Sequence, residues 1–303
     1  ASVYEFYSTR FSAKAHPTVR ASILTAGEMQ ARVIANHAKR DARPFCAVCE
    51  MAMETFAAAY GSECGAAALK WIPLGGLYVA GGIAIKNMQL LRGDDSPFMR
   101  AFRDKGRLSS LIKRVPLHVV KVDDIGQRGA HLVAVKLLSD VRNGRPVPHP
   151  FYRSATQFGM RMITGSSERT VETPLRRSGR ALVGDIGGTN SRLQLIEIEA
   201  GSLAAPCKVA PGRLVAEQQY LNGDYPSFEE IVRVFLESSG ETAAPTTACF
   251  AVAGPVEDNR VTFTNRESWV IDGGKISEEL GIGSVRLIND FVANGYGLLT
   301  LDI

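Results

Sequence analysis

The stretch 181-ALVGDIGGTNSRLQLIEIE-199 reads as an apolar strand, a Gly-Gly turn and a second strand, with an acid, a threonine and an arginine placed around the bend. Gly187 and Gly188 let the backbone turn tightly and come close to a ligand with no Cβ in the way. Their amides and the Thr189 hydroxyl then make a concavity suited to phosphate oxygens. Asp185 would repel phosphate directly, so its chemical use here is to hold the water shell of a magnesium ion sitting on the phosphates. A plain hairpin whose glycines serve only the turn accounts for the same residues. The position is unusual, because the hairpin follows more than half of a chain that already reads as folded.

Upstream, residues 21 to 70 carry helical periodicity. Met29, Val33, Ile34 and His37 fall on one face, and Pro44 is expected to open a second helix at its tolerated first turn. In 44-PFCAVCEMAMETF-56, Cys46 and Cys49 are three apart and read as core residues on one helical face. With no second Cys/His pair at ligand spacing, zinc is not expected. The pattern continues with a short strand in 74-LGGLYVAGGI-83, a helical segment through 98-FMRAFRDKGRLSSLIKR-114, a strand in 115-VPLHVVKVDD-124 and a helix from Gly129 to about Asp140. Crossover spacing of this kind implies parallel pairing in an α/β sheet. Residues 141 to 180 break the rhythm with Pro, Gly, Ser and Arg, and read as a basic linker.

Downstream of the hairpin, 206-PCKVAPGRLVAEQQYLN-222 supplies a third strand of a meander. The segment 226-PSFEEIVRVFLESSG-240 has a serine cap with glutamate three residues later, then an apolar stripe. The strand 247-TACFAVAGPV-256 is almost wholly apolar, as expected of a central strand covered on both faces. In 285-VRLINDFVANGYGL-298 an apolar strand ends in Asn289-Asp290 and runs into a helix. Open α/β sheets place ligands at such carboxyl ends. A carboxylate there can take the proton of a substrate hydroxyl as it attacks phosphorus, while the amide grips a neighbouring hydroxyl. Asp290 as a simple helix cap is the structural alternative. Thr264 and Asn265 in 262-TFTNRESW-269 read either as sugar-binding or as turn residues.

Composition sets the frame around these motifs. The 303 residues, 45% hydrophobic and 22% charged, suit a globular protein with room for two domains. The longest apolar run, 71-WIPLGGLYVAGGIAI-85, is too short and too broken by proline and glycine to span a membrane. A formal charge of +4 with no aromatic-interleaved basic patch gives no reason to expect nucleic acid. Five cysteines, an odd count, fit a reducing, cytoplasmic setting.

The ordered run D-x-G-G-T-x-x-R, A-x-A-G-P, T-N-x-x-x-W and L-I-N-D-F, all between residues 185 and 291, resembles the bacterial-type glucokinase family of the hexokinase and actin-like ATPase superfamily. The resemblance implies an α/β fold of two ribonuclease-H-like (actin-like ATPase) lobes and ATP-dependent, magnesium-assisted phosphorylation of the 6-hydroxyl of glucose. Carried to matching positions, it implies Asp290 as general base, Asn289, Asn265 and Thr264 as sugar contacts, and Asp185, Gly187, Gly188, Thr189 and Arg192 as the first phosphate and metal site. The first part resembles the same family's other end, in 56-FAAAYGSECGAAALKWIPLGGLYVAGGIAIK-86, 102-FRDKGR-107, 115-VPLHVV-120 and 126-GQRGAHL-132. There Gly81 and Gly82 would lie near the adenosine. Where the family has G-N-L-A-L, this chain has 65-GAAAL-69, a segment that helix packing also explains.

Laid on that pattern, residues 1–140 correspond to the end of a glucokinase-like unit, 141–180 to a linker, and 181–303 to the beginning of such a unit. A middle block with a second glycine-rich loop and an E-G-G-H segment has no counterpart here. The expectation is one nearly complete lobe, closed by the helix near residues 129–140, and one partial lobe with an open sheet edge that needs a partner chain or further polypeptide. A cut from a tandem of two units explains this layout, as does a permuted gene with a deletion. On either history the chain alone is expected to turn over little or no glucose. A competing reading is a non-catalytic sugar- or nucleotide-binding or assembly module derived from such an enzyme.

Overall fold

The computed structural model describes residues 1–144, 175, 177–202, 209–240, 243–263 and 269–301. The chain is a mixed α/β protein in two compact units, Ala1–Asp123 and Asp124–Ile303.

The first unit is mainly helical, with α1 (Ser2–Arg10), α2 (Pro17–Thr25), α3 (Gln30–His37) and the 25-residue α4 (Ala47–Trp71). The expected face at residues 29–37 holds only in part. Ile34 is buried, whereas Met29 is half-exposed in a short 3-10 turn ahead of the helix. Pro44 does not open α4, since the helix begins at Ala47 with Cys46 as its N-cap. Cys46 and Cys49 are buried beside Tyr4, Val19, Ile23 and Val48. Burial pushes the Cys49 thiol up, with Cys46 adding to the shift, as suits inert core residues.

Gly65, in the segment that departs from the family pattern, packs α4 tightly on α7 (Pro97–Arg103). A Cβ at Gly61 would fall within 2.1 Å of the Phe98 carbonyl oxygen, and one at Gly65 within 2.4 Å of that of Phe102. Between them lie β1 (Leu77–Val79), α5 (Gly82–Lys86) and α6 (Met88–Leu91). The single helical segment expected over 98–114 is interrupted. After α7 the chain makes a 3-10 turn and restarts as α8 (Ser109–Ile112). Then β2 (Leu117–Val119) pairs in parallel with β1, as its spacing predicts, in a two-stranded sheet. A cavity of about 600 Å³ opens there among Leu91, Phe102, Ile112, Leu117, Arg103 and Lys121.

The second unit begins with α9 (Ile125–Arg142), four residues earlier than its periodicity suggests, because the glycines at 126 and 129 sit in its first turns as packing residues. A five-stranded sheet follows from β3 (Gly179–Ile186), β4 (Asn190–Ile198), β5 (Arg213–Leu221), β6 (Thr247–Val252) and β9 (Ser284–Asn289), in the order β5-β4-β3-β6-β9. The hairpin and meander pairs are antiparallel, and β3-β6 and β6-β9 are parallel. A small ribbon of β7 (Arg260–Thr262) and β8 (Val270–Asp272) precedes β9. The helices are α10 (Phe228–Ser238), capped by Ser227 through the Glu230 amide, α11 (Gly273–Leu280) and α12 (Asp290–Leu298). The linker expected over 141–180 is narrower at both ends, since α9 runs to Arg142, and Leu175 is buried and bonded to Gly201 and Ser202 ahead of β3.

Alternation explains why β3 and β6 look apolar throughout. Leu182, Ala248, Phe250 and Val252 point into a core with Phe228, Ile231 and Phe235 of α10. Ala181, Val183, Cys249 and Ala251 point the other way, into a core with α9 and α12 residues Ala130, Val133, Ala134 and Ala293. With both faces covered, no position of β6 tolerates a charge. The helical layer is close-packed, because a Cβ at Gly129 would stand 1.7 Å from the Ala293 carbonyl oxygen and one at Gly297 2.1 Å from that of Ile125.

Candidate functional site

The same alternation places the acid of the hairpin. Ala181, Val183 and Asp185 share the face covered by α9 and α12, and Asp185 is the last of them before the turn. The parallel partners β3, β6 and β9 end together, with Ile186 opposite Val252 and Val252 opposite Asn289. Asp185 and the Asn289-Asp290 pair therefore stand at the same, carboxyl-terminal edge of one sheet.

The two carboxylates at this edge are coupled by charge. The Asp185 carboxyl is held above its ordinary value, first by burial and then by the charge of Asp290, with Arg192 opposing. Arg192 sits directly across the hairpin from Asp185, and its Nε also donates to Glu217 on β5 at 2.7 Å. That bond ties the guanidinium to the sheet.

The hairpin tip differs from a loop of free amides. The Gly187 N–H donates to the Asn190 carbonyl at 2.9 Å, so it is spent inside the turn. The tip is anchored by Asn222, which is buried. Its backbone N–H donates to Thr189 at 2.9 Å, its carboxamide donates to the Gly187 carbonyl at 2.8 Å, and it accepts from the Ser191 hydroxyl at 2.7 Å. Gly188 and Thr189 are left exposed at the end of the loop. A Cβ on Gly187 would meet only the Asn190 carbonyl oxygen, at an ordinary 3.6 Å, and its φ lies outside the left-handed region. Chain sterics thus do not require glycine at 187.

At the end of β9, Asn289 is the N-cap of α12, and Asp290 is its first residue. The Phe291 amide donates to Asn289 Oδ1 and to Asp290 Oδ1, both at 2.9 Å, and Asn289 Nδ2 donates to the Gly254 carbonyl at 2.8 Å. Capping by Asp290 alone is therefore replaced by a shared cap, which leaves Asp290 Oδ2 uncommitted to it. Thr264 and Asn265 lie outside the described residues. Gly81 and Gly82 belong to the first unit, where Gly81 has a φ of +105° and open space where a Cβ would be.

Two neighbours of Asp185 were not among the candidate site residues. A Cβ on Gly126 of α9 would come 3.3 Å from Asn294 Oδ1 and 3.7 Å from Asp185 Oδ2. Asn294 lies on α12 four residues beyond Asp290, a spacing from which its shared face was readable. Gly126, although it opens the family-like segment 126–132, and Asn222 were not read as site residues, because their roles exist only in the folded chain.

The sequence profile described as Glucokinase matches residues 2–137 and 182–302. This chain belongs to the glucokinase family. Curated glucokinases from Nostoc sp. (strain PCC 7120) and Synechocystis sp. (strain PCC 6803) are 39% and 40% identical to it over 121 and 124 residues, 40% of this chain in each case and 33% and 34% of those proteins. The chain thus spans about a third of the length of the curated glucokinases it matches. A crystal structure of glucokinase from an Antarctic psychrotroph aligns at 26% identity with a TM-score of 0.31, over 37% of this chain and 33% of that one.

A magnesium nucleotide is the cofactor that the glucokinase family implies, and the residues here fit it. Among the described residues no group of three or more His, Cys, Asp or Glu could hold an ion alone. Asp185, whose charge burial and the neighbouring Asp290 disfavour, suits instead a cation that keeps much of its water, as magnesium does. No described helix is long and apolar enough to cross a membrane.

Proposed function

We propose that the second unit carries one half of the phosphoryl-transfer site of an ATP-dependent hexose kinase, and that the complete protein phosphorylates glucose at its 6-hydroxyl. The observation that carries this reading is the meeting of Asp185 and Asp290 at the carboxyl ends of β3 and β9, where Asp290 raises the Asp185 carboxyl. Magnesium-bound ATP, when present, supplies the phosphoryl group. Asp290 Oδ2 takes the proton of the sugar hydroxyl, Oδ1 being held by the Phe291 amide. Asn289 orients an adjacent hydroxyl with the N–H and lone pair its two protein bonds leave over, and Asn265 and Thr264 complete the sugar contacts. Asp185 holds water on the cation, and the hairpin tip at Gly187, Gly188 and Thr189 receives the phosphates, with Arg192 countering their charge. The fold itself has room for a Cβ at Gly187, so in this reading the glycine serves the close approach of the phosphates.

In this reading the five-stranded sheet with α9 folded onto it is the nearly complete ribonuclease-H-like lobe, and the two-stranded unit is the partial one, with Gly81 and Gly82 beside the adenosine. Residues 1–140 end one glucokinase-like unit, and 181–303 begin another across the basic segment 141–180. The separation of the family match into 2–137 and 182–302 supports that division. The four free cysteines among the described residues accord with a cytoplasmic enzyme.

The test is glucose-dependent ADP release by the 303-residue chain and by the product of the full reading frame that contains it. The reading expects turnover only from the latter. Robust turnover by the 303 residues alone would refute the half-site, and no turnover by either protein would refute the kinase.

A further inference from the structure

Asn294 stands one helical turn beyond Asp290 on α12, and its Oδ1 and the Asp185 Oδ2 converge on the space above Gly126 at the start of α9. Glycine at 126 keeps that space open, since a Cβ there would crowd Asn294 Oδ1 at 3.3 Å and touch Asp185 Oδ2 at 3.7 Å. Among the described residues the Asn294 carboxamide makes no hydrogen bond, although Asp185 beside it is in an ion field shared with Asp290 and Arg192. We propose that Asn294 is a further oxygen donor of the cation site, accepting a hydrogen bond from water on the divalent ion held at Asp185. The inference rests on the kinase reading of that site and adds to it a residue outside the sequence motifs. A carboxamide suits the position because its oxygen is an acceptor. Magnesium bound through water asks for such acceptors around its shell.

The probe is manganese, followed through the electron paramagnetic resonance signal of free Mn²⁺ in titrations of the 303-residue chain, with magnesium as competitor. Wild type is expected to bind one Mn²⁺ that magnesium displaces. Asp185→Asn should abolish this binding, Asn294→Ala should weaken it roughly fivefold, the worth of about one hydrogen bond, and Asn294→Asp should bind at least as tightly as wild type. Asn294→Ala within twofold of wild type, with Asp185→Asn still abolishing binding, overturns the role of Asn294 and leaves the kinase reading standing. If Asn294→Ala fails to fold, Asn294→Asp decides, and weaker binding than wild type overturns the proposal. Equal binding by wild type and Asp185→Asn overturns the role of Asn294 together with the placing of the cation at Asp185, while the kinase reading is decided by turnover.

Discussion

The Asn222 carboxamide donates a 2.8 Å hydrogen bond to the carbonyl of Gly187, joining the end of β5 to the hairpin tip 35 residues earlier. With the bond that its Oδ1 accepts from the Ser191 hydroxyl, this makes one buried side chain the fastener of the proposed phosphate loop, beside the backbone bond from Asn222 to Thr189. Asn222→Ala strands the Ser191 hydroxyl and frees the Gly187 carbonyl. It should lower unfolding free energy by about 2 kcal/mol in denaturant titrations, and amide exchange should quicken at residues 187–190. Unchanged exchange there would show that the loop holds its shape without Asn222.

Glycines in this chain serve two separable purposes. Gly129→Ala drives a methyl group into the Ala293 carbonyl and should cost at least about 1–3 kcal/mol by overpacking. Gly187→Ala meets only ordinary contacts, so stability should stay within about 1 kcal/mol of wild type. Its expected defect is weaker binding of Mg·ADP to the full-length protein, measured by calorimetry. Full affinity in Gly187→Ala would return the glycine to turn geometry.

Asp185 is predicted to be a stability cost retained for function. Its folded-state carboxyl lies above the ordinary range through burial and Asp290, so its ionised form opposes folding once the pH is above that of a free carboxylate. Asp185→Asn should therefore raise Tm at pH 7 while removing cation binding, the trade expected where a site is built against the fold's own interest. A lower Tm for this variant would mean that Arg192 outweighs the other two influences.

His131 gives the fold an acid limit. Burial lowers it from an ordinary value of 6.5 to about 4, and its Nε2 donates to the Pro211 carbonyl at 3.1 Å. The unfolded chain takes up the proton first, so stability is full above pH 6.5 and falls as the pH drops toward 4. The loss amounts to about 3 kcal/mol. Comparing wild type with His131→Gln across that window isolates the contribution, because other groups cancel. Parallel pH profiles would contradict it.

Legibility from sequence followed locality. The placement of Asp185, Gly187 and Asn289-Asp290 at the strand ends was readable because strand alternation and the residues at the strand ends lie within a few positions of one another. The strands of the hairpin and the Ser227 cap were readable for the same reason. Pro44 misled, because φ compatibility permits a proline at the first turn without requiring a helix to begin there, and the chain turns first. The commitment of the Gly187 amide to Asn190, the Asn222 fastener and the opening left by Gly126 depend on which segments meet in space. Gly126 precedes Asp185 by 59 positions, with the whole basic segment between them.

If Asp290 takes a proton from the sugar hydroxyl, Asp290→Asn in the full-length protein removes the base on which turnover depends. The substitution keeps the shape and the helix-capping oxygen while removing the base. Coupled glucose phosphorylation should fall in kcat by about a hundredfold or more, with the KM for glucose within a few-fold of wild type. A kcat within a few-fold of wild type would mean that Asp290 is not the base.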